Sequence, residues 1–117
     1  MTDTTDLRGR PATLATLLAR HGARFVVVGS TARRLTTGRG SPGDLDVVVD
    51  ASDLPLLAGA LGAIGAPVEA VRLGRGSPTR VDTSWGPVDV FVAEPPPARD
   101  VRLDVGDAST DLPVEDA

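Results

Sequence analysis

Three carboxylates and a Gly-Ser pair carry the chemistry that this chain can do. Asp44 and Asp46 stand two apart at the start of a Val-rich run. The period-2 alternation of a strand aims both at one face, while Leu45, Val47 and Val49 face the other. Two carboxylates on one face suit Mg²⁺ or Mn²⁺, hard ions that take oxygen ligands and fill the rest of their shell with phosphates and water. Asp89 is the third acid, flanked by Val88 and Val90 in the run PVDVFV. An ionised group in so apolar a strand is costly unless something pairs with it, and a metal ion shared with Asp44 and Asp46 would do so. Gly29 and Ser30 follow the apolar run at residues 25–28. A glycine lets backbone approach a ligand, and the free N–H groups of a following helical turn favour a phosphate, to which Ser30 adds a hydroxyl. The set suits a nucleoside triphosphate.

Composition narrows the alternatives. The chain has 117 residues, room for one domain. It has no cysteine, hence no disulfide framework or thiolate site, and its one histidine, His21, excludes a multi-histidine metal centre. No lysine is present, which removes the Walker-type phosphate loop and Schiff-base chemistry. All twelve basic residues are Arg, and Asn, Gln and Tyr are missing, a bias that reads as a GC-rich coding background. The net charge of −4 is unevenly spread. Residues 7–43 hold seven Arg and no acid, whereas residues 100–117 hold six acids and one Arg. A basic segment around the Gly-Ser pair suits a polyanionic ligand; Arg8, Arg10 and Arg20 read as a solvated helix face. Only Phe25, Trp85 and Phe91 are aromatic and they are scattered, so there is no nucleic-acid platform. No apolar run approaches membrane-spanning length and the first residues lack a secretion-signal layout, which makes the expected location cytoplasmic, without a membrane partner.

The positioning elements follow from the pattern. Residues 1–10 form a polar lead-in, and Pro11 opens a helix carrying Leu14, Leu17 and Leu18 until His21-Gly22 stops it. Residues 25–28 are a buried strand, Gly29-Ser30 opens a short helix through Leu35, and a Gly-rich loop delivers Asp44 to the next strand. Ser52 or Asp53 caps a helix with Leu54, Leu57, Leu61 and Ile64, and Gly65 to Pro67 ends it. Residues 68–73 are predicted as a strand, and 79–83 and 88–92 as a hairpin about Ser84-Trp85-Gly86-Pro87. Asp50 reads as a cap or a solvated charge, and Asp82 as an exposed hairpin residue less suited than Asp89 to the third-acid role. The regular domain is predicted over residues 11–94, with a Pro-rich, then acidic tail over 95–117 that is flexible or loosely paired. The fold class is α/β (α+β): a mixed sheet with helices packed on it.

In this arrangement the chain resembles the nucleotidyltransferase superfamily related to DNA polymerase beta. The shared pattern is Gly-Gly or Gly-Ser, an acid-hydrophobic-acid triplet, and a later single acid on a strand. Here those are Gly29-Ser30, thirteen intervening residues, Asp44-Leu45-Asp46, and Asp89, and the resemblance covers residues 24–93. Residues 29–39, GSTARRLTTGR, are also similar to the Gly-Gly-x-x-Arg helix and trailing Gly-Arg of the tRNA CCA-adding head domain, with Arg33 and Arg39 on its basic positions and Arg34 where an acid is usual. Overall the chain looks closest to small stand-alone bacterial nucleotidyltransferases, including abortive-infection toxin types. In that group a Leu-Pro-Val segment leads into a helix whose lysine helps to hold the nucleotide. Leu112-Pro113-Val114 is present here without any lysine, so residues 95–117 also read as a truncated continuation of the domain.

The resemblance implies a minimal nucleotidyltransferase fold and two-metal transfer of a nucleoside monophosphate from a nucleoside triphosphate to a hydroxyl. Asp44 and Asp46 would hold both Mg²⁺ (or Mn²⁺) ions, and Asp89 would complete one shell and help to deprotonate the acceptor. Gly29 and Ser30 would hold the triphosphate tail, with Arg33 and Arg39 as phosphate clamps. The acceptor stays open among a small molecule, a protein and an RNA end. Two alternatives stand beside this. One is a catalytically degenerate or truncated relative that binds nucleotide or a partner, for example in a toxin-antitoxin pair. The other is a subunit active only with another chain. A domain this small, without its usual closing helix, is also expected to expose an apolar face and to self-associate or bind a partner protein.

Overall fold

Leu14 and Leu18, four apart, turn one side of the first helix inward. In the computed structural model, which describes residues 11–38, 43–105 and 108–116, α1 spans Pro11–Arg20 and both leucines are fully buried. It stops at Gly22, whose φ of 90° suits glycine. There the N–H of Ala23 donates to the Leu18 carbonyl (3.1 Å) and that of Gly22 to Ala19 (3.0 Å), which satisfies the helix's last acceptors. Arg20 holds this end to the last strand, donating to Thr110 Oγ1 and to the Ala108 carbonyl.

The other helices are α2 (Gly29–Thr37), α3 (Leu54–Ala63), preceded by a 3₁₀ turn at Ala51–Asp53, and α4 (Ala70–Leu73). Asp50, not Ser52 or Asp53, supplies the cap of that turn by accepting from the Ser52 N–H at 3.0 Å. The strand predicted at residues 68–73 is corrected to the single turn α4, closed by the N–H groups of Arg72 and Leu73 on the Glu69 carbonyl. The segment is mostly apolar, as a strand would be, but Leu73 alone is fully buried and Val71 is exposed, so it has no sheet face to satisfy.

Six strands form one mixed sheet: β1 (Val26–Val28), β2 (Leu45–Val49), β3 (Thr79–Thr83), β4 (Gly86–Val92), β5 (Ala98–Val105) and β6 (Ala108–Glu115), in the order β3-β4-β2-β1-β6-β5. The α/β class read from the sequence holds. Val27, Leu45, Val47, Val49, Val88, Val90, Leu112 and Val114 alternate onto one face and join Leu14, Leu18, Leu57 and Leu61 in a single core. Each such burial contributes about 1.5–3 kcal/mol against the entropy of ordering the chain. The opposite face carries Val28, Asp46, Val48, Asp89 and Phe91, all only partly buried. No helix among the described residues is long and apolar enough to cross a membrane.

Regular structure does not end at Glu94, which corrects the expectation of a loose tail. β5 and β6 pair antiparallel along their length, and β6 lies parallel to β1 with Val114 opposite Val27. The acids of this region mask a period-2 pattern in which Leu112 and Val114 are fully buried while Asp111 is exposed and Pro113 and Glu115 are only partly buried. Charged residues along β5, among them Arg99, Asp100, Arg102 and Asp104, keep the outer edge from pairing further. If β6 is structural, Leu112→Ala costs about 3 kcal/mol, the usual cost of an interior leucine. A urea titration of wild type and variant reads this directly; a change within error would return 95–117 to the status of a tail.

Candidate functional site

Sheet register builds the site. Val28 pairs with Asp46, Asp46 with Asp89, and Asp89 with Arg80, so the four side chains form one row across β1, β2, β4 and β3 on the partly open face. Asp44, just before β2, lies two residues from Asp46 and reaches the same group. The sequence therefore placed Asp44, Asp46 and Asp89 together, and the structure brings them together. Asp82, paired with Pro87, lies outside the group.

Sequence reasoning missed Arg80. Its Nη2 donates to Asp44 Oδ2 at 2.6 Å and to Asp89 Oδ2 at 3.2 Å, and its Nε donates to Asp89 Oδ1 at 3.0 Å. The fork grips Asp89 with two donors and bridges to Asp44. The signal was the turn length. A four-residue loop over 84–87 would set Asp82 opposite Asp89, but β4 begins at Gly86. The two-residue turn, closed by Thr83 Oγ1 accepting from the Trp85 N–H (3.0 Å) and donating to the Gly86 carbonyl (2.7 Å), shifts the register and puts Arg80 there.

Asp46 bears the strain of the cluster. Its carboxyl is raised above the usual carboxylate range, first by burial, then by the charge of Asp89 and a hydrogen bond with it, then by Asp44, with Arg80 opposing. Arg80 is held firmly protonated by its hydrogen bonds to Asp89, by the charges of Asp89 and Asp44, and by its bond to Asp44. One guanidinium thus faces three acids.

The Gly29-Ser30 start of α2 adjoins these carboxylates. α2 starts at Gly29, its preceding residue Val28 is extended, and no side chain caps its first N–H groups. Gly29 has φ 71°, and a Cβ there would lie 2.8 Å from Asp46 Oδ2, so only glycine lets the helix begin against this acid. Ser30 Oγ accepts from the Gly43 N–H at 3.0 Å, fixing the backbone that leads into Asp44 and leaving its own proton to donate. Arg33 is exposed on α2, three and four residues beyond Ser30 and Gly29, on the same helix side. Arg39 lies outside the described residues. Beside Asp46 a cavity of about 420 Å³, lined also by Phe91, Glu94 and Glu115, has the volume of a small-molecule site.

Among the described residues no group of three or more His, Cys, Asp or Glu side chains is placed so that it could hold a metal ion as it stands. Arg80 bridges Asp44 and Asp89, and Asp46 neighbours Asp89, so the cation now among these carboxylates is a guanidinium; their oxygens are the donor type that a hard divalent ion takes. No protein-family model, curated protein or solved structure matches this chain.

Two outcomes follow. Gly29→Ala combines a left-handed backbone with a clash on Asp46 and is expected to lower stability by about 1–3 kcal/mol, measured by chemical denaturation. For Asp46 the sign runs against the ionised form: a carboxyl raised in the fold loses stability as pH climbs from its unfolded value through its folded one. Asp46→Asn in chelator is therefore expected to raise the melting temperature at neutral pH, with no gain in acid, where wild-type Asp46 is already protonated. Equal melting at both pH values would show that Asp46 is not under this strain.

Proposed function

We propose that this chain is a metal-dependent nucleotidyltransferase that moves a nucleoside monophosphate from a nucleoside triphosphate to a hydroxyl. The observation that carries the reading is the contact of two half-sites: the uncapped start of α2 lies against Asp46, in register with Asp89 and beside Asp44. Such a junction offers N–H donors for a polyphosphate next to acids for its counter-ions. The order Gly29-Ser30, Asp44-Leu45-Asp46, Asp89 supports it as the resemblance to the polymerase-beta-related superfamily does.

Asp44, Asp46 and Asp89 would hold Mg²⁺ or Mn²⁺, which supplies neutralisation of phosphate charge and a more acidic acceptor hydroxyl. The first N–H groups of α2 and the Ser30 hydroxyl hold the triphosphate tail, and Arg33 meets its outer oxygens. The acceptor oxygen bonds to the α-phosphorus as the bond to pyrophosphate breaks, and Asp89 receives the hydroxyl proton. The cavity beside Asp46 gives the acceptor or the nucleoside a place on the open face.

Arg80 favours a second reading: a chain whose acids are neutralised internally and which binds nucleotide or a partner protein without turnover. Calorimetry with ATP, GTP, CTP and UTP, each with and without Mg²⁺, separates the two when followed by a pyrophosphate-release assay. The enzyme reading expects Mg²⁺-dependent binding weakened about 100-fold in Asp44→Asn/Asp46→Asn. It also expects turnover cut about 10²–10⁴-fold in Asp89→Asn. Binding without pyrophosphate release from any acceptor supports the second reading, and no binding by the folded chain removes both.

A further inference from the structure

We infer that Arg80 is a resident counter-cation that occupies the carboxylate site until a divalent ion displaces it, an inference that rests on the nucleotidyltransferase reading. The geometry is that of a plug. The guanidinium donates twice to Asp89 and once to Asp44, and these are two of the three groups that a metal ion would need. Its register position opposite Asp89 sets the guanidinium beside that carboxylate. The fork already occupies both oxygens of Asp89 and one of Asp44, so an ion that takes those oxygens meets a like charge in the same space and the two compete.

The plug is built to leave. The Arg80 side chain is 54% exposed on the edge strand β3, so it swings into solvent without repacking the core, whereas Asp89, 16% exposed, stays in the central sheet. While seated, the guanidinium relieves the repulsion among three acids that share one face. Once displaced, it stays beside the site as a positive group for a polyanionic substrate.

Arg80 Nε–H is itself the reporter, since it donates to Asp89 at 3.0 Å. In ¹H–¹⁵N spectra of the full chain, the resonance assigned by its loss in Arg80→Gln is expected to be shifted and protected without metal. It should move to the position of a free arginine as Mg²⁺ is added. In parallel, Mn²⁺ binding followed by electron paramagnetic resonance is expected to tighten roughly tenfold in Arg80→Gln. Mg²⁺ that binds while the Nε–H signal stays put, together with equal Mn²⁺ affinity in both proteins, overturns the inference and leaves the metal site intact. Mn²⁺ binding by neither protein overturns the metal site itself, and the inference with it.

Discussion

Three carboxylates held on one partly buried face need a cation. Asp46 and Asp89 are register partners on adjacent parallel strands, and Asp44 joins them from the start of β2. Like charges at such separations repel by a few kcal/mol even where solvent lends an effective dielectric of about 20. The chain answers in two ways: Asp46 holds its proton more tightly than a free carboxyl, and Arg80 spans Asp89 and Asp44. Everything else in the site is arranged around that unfinished charge balance. The start of α2 brings partial positive charge toward Asp46, and glycine at position 29 is what lets the helix come so near.

The core makes the cluster possible by keeping it on the far side of the sheet. Each strand that carries an acid outward carries valine or leucine inward: Leu45, Val47 and Val49 on β2, Val88 and Val90 on β4. The helices cover this apolar face, so the interior is mainly hydrophobic, with Thr13, Thr16 and Thr31 as its buried polar residues, and the polar row meets solvent. The hairpin of β5 and β6 extends the same layer, placing Leu112 and Val114 in the core beside β1. The three-residue strand β1 is thereby held on both sides, by β2 and by β6, and α2 is launched from a fixed point.

Much of this was legible in the residues. The alternation in residues 44–49 and 88–92 set the direction of every acid, and Pro11, His21-Gly22 and Gly65 marked helix limits close to those observed. What stayed hidden was register and context. Arg80 carries no local signal, because its role depends on the turn at Ser84-Trp85 having two residues and not four. The apolar residues of 68–73 fit a strand as well as a helical turn, and only Leu73 reaching the core decides between them. In residues 98–115 acidic composition outweighed a two-residue period that was present, and a long-range pairing with β1 stabilises what no local propensity would.

Diffraction from crystals of the chain grown with Mn²⁺ and a non-hydrolysable nucleoside triphosphate tests the central claim most directly, through anomalous scattering at the manganese edge. The account expects a peak about 2.0–2.3 Å from oxygens of Asp44, Asp46 and Asp89, with the triphosphate reaching the first N–H groups of α2 and Arg80 turned out of the cluster. A peak elsewhere, or none with Arg80 still bridging Asp44 and Asp89, would contradict it.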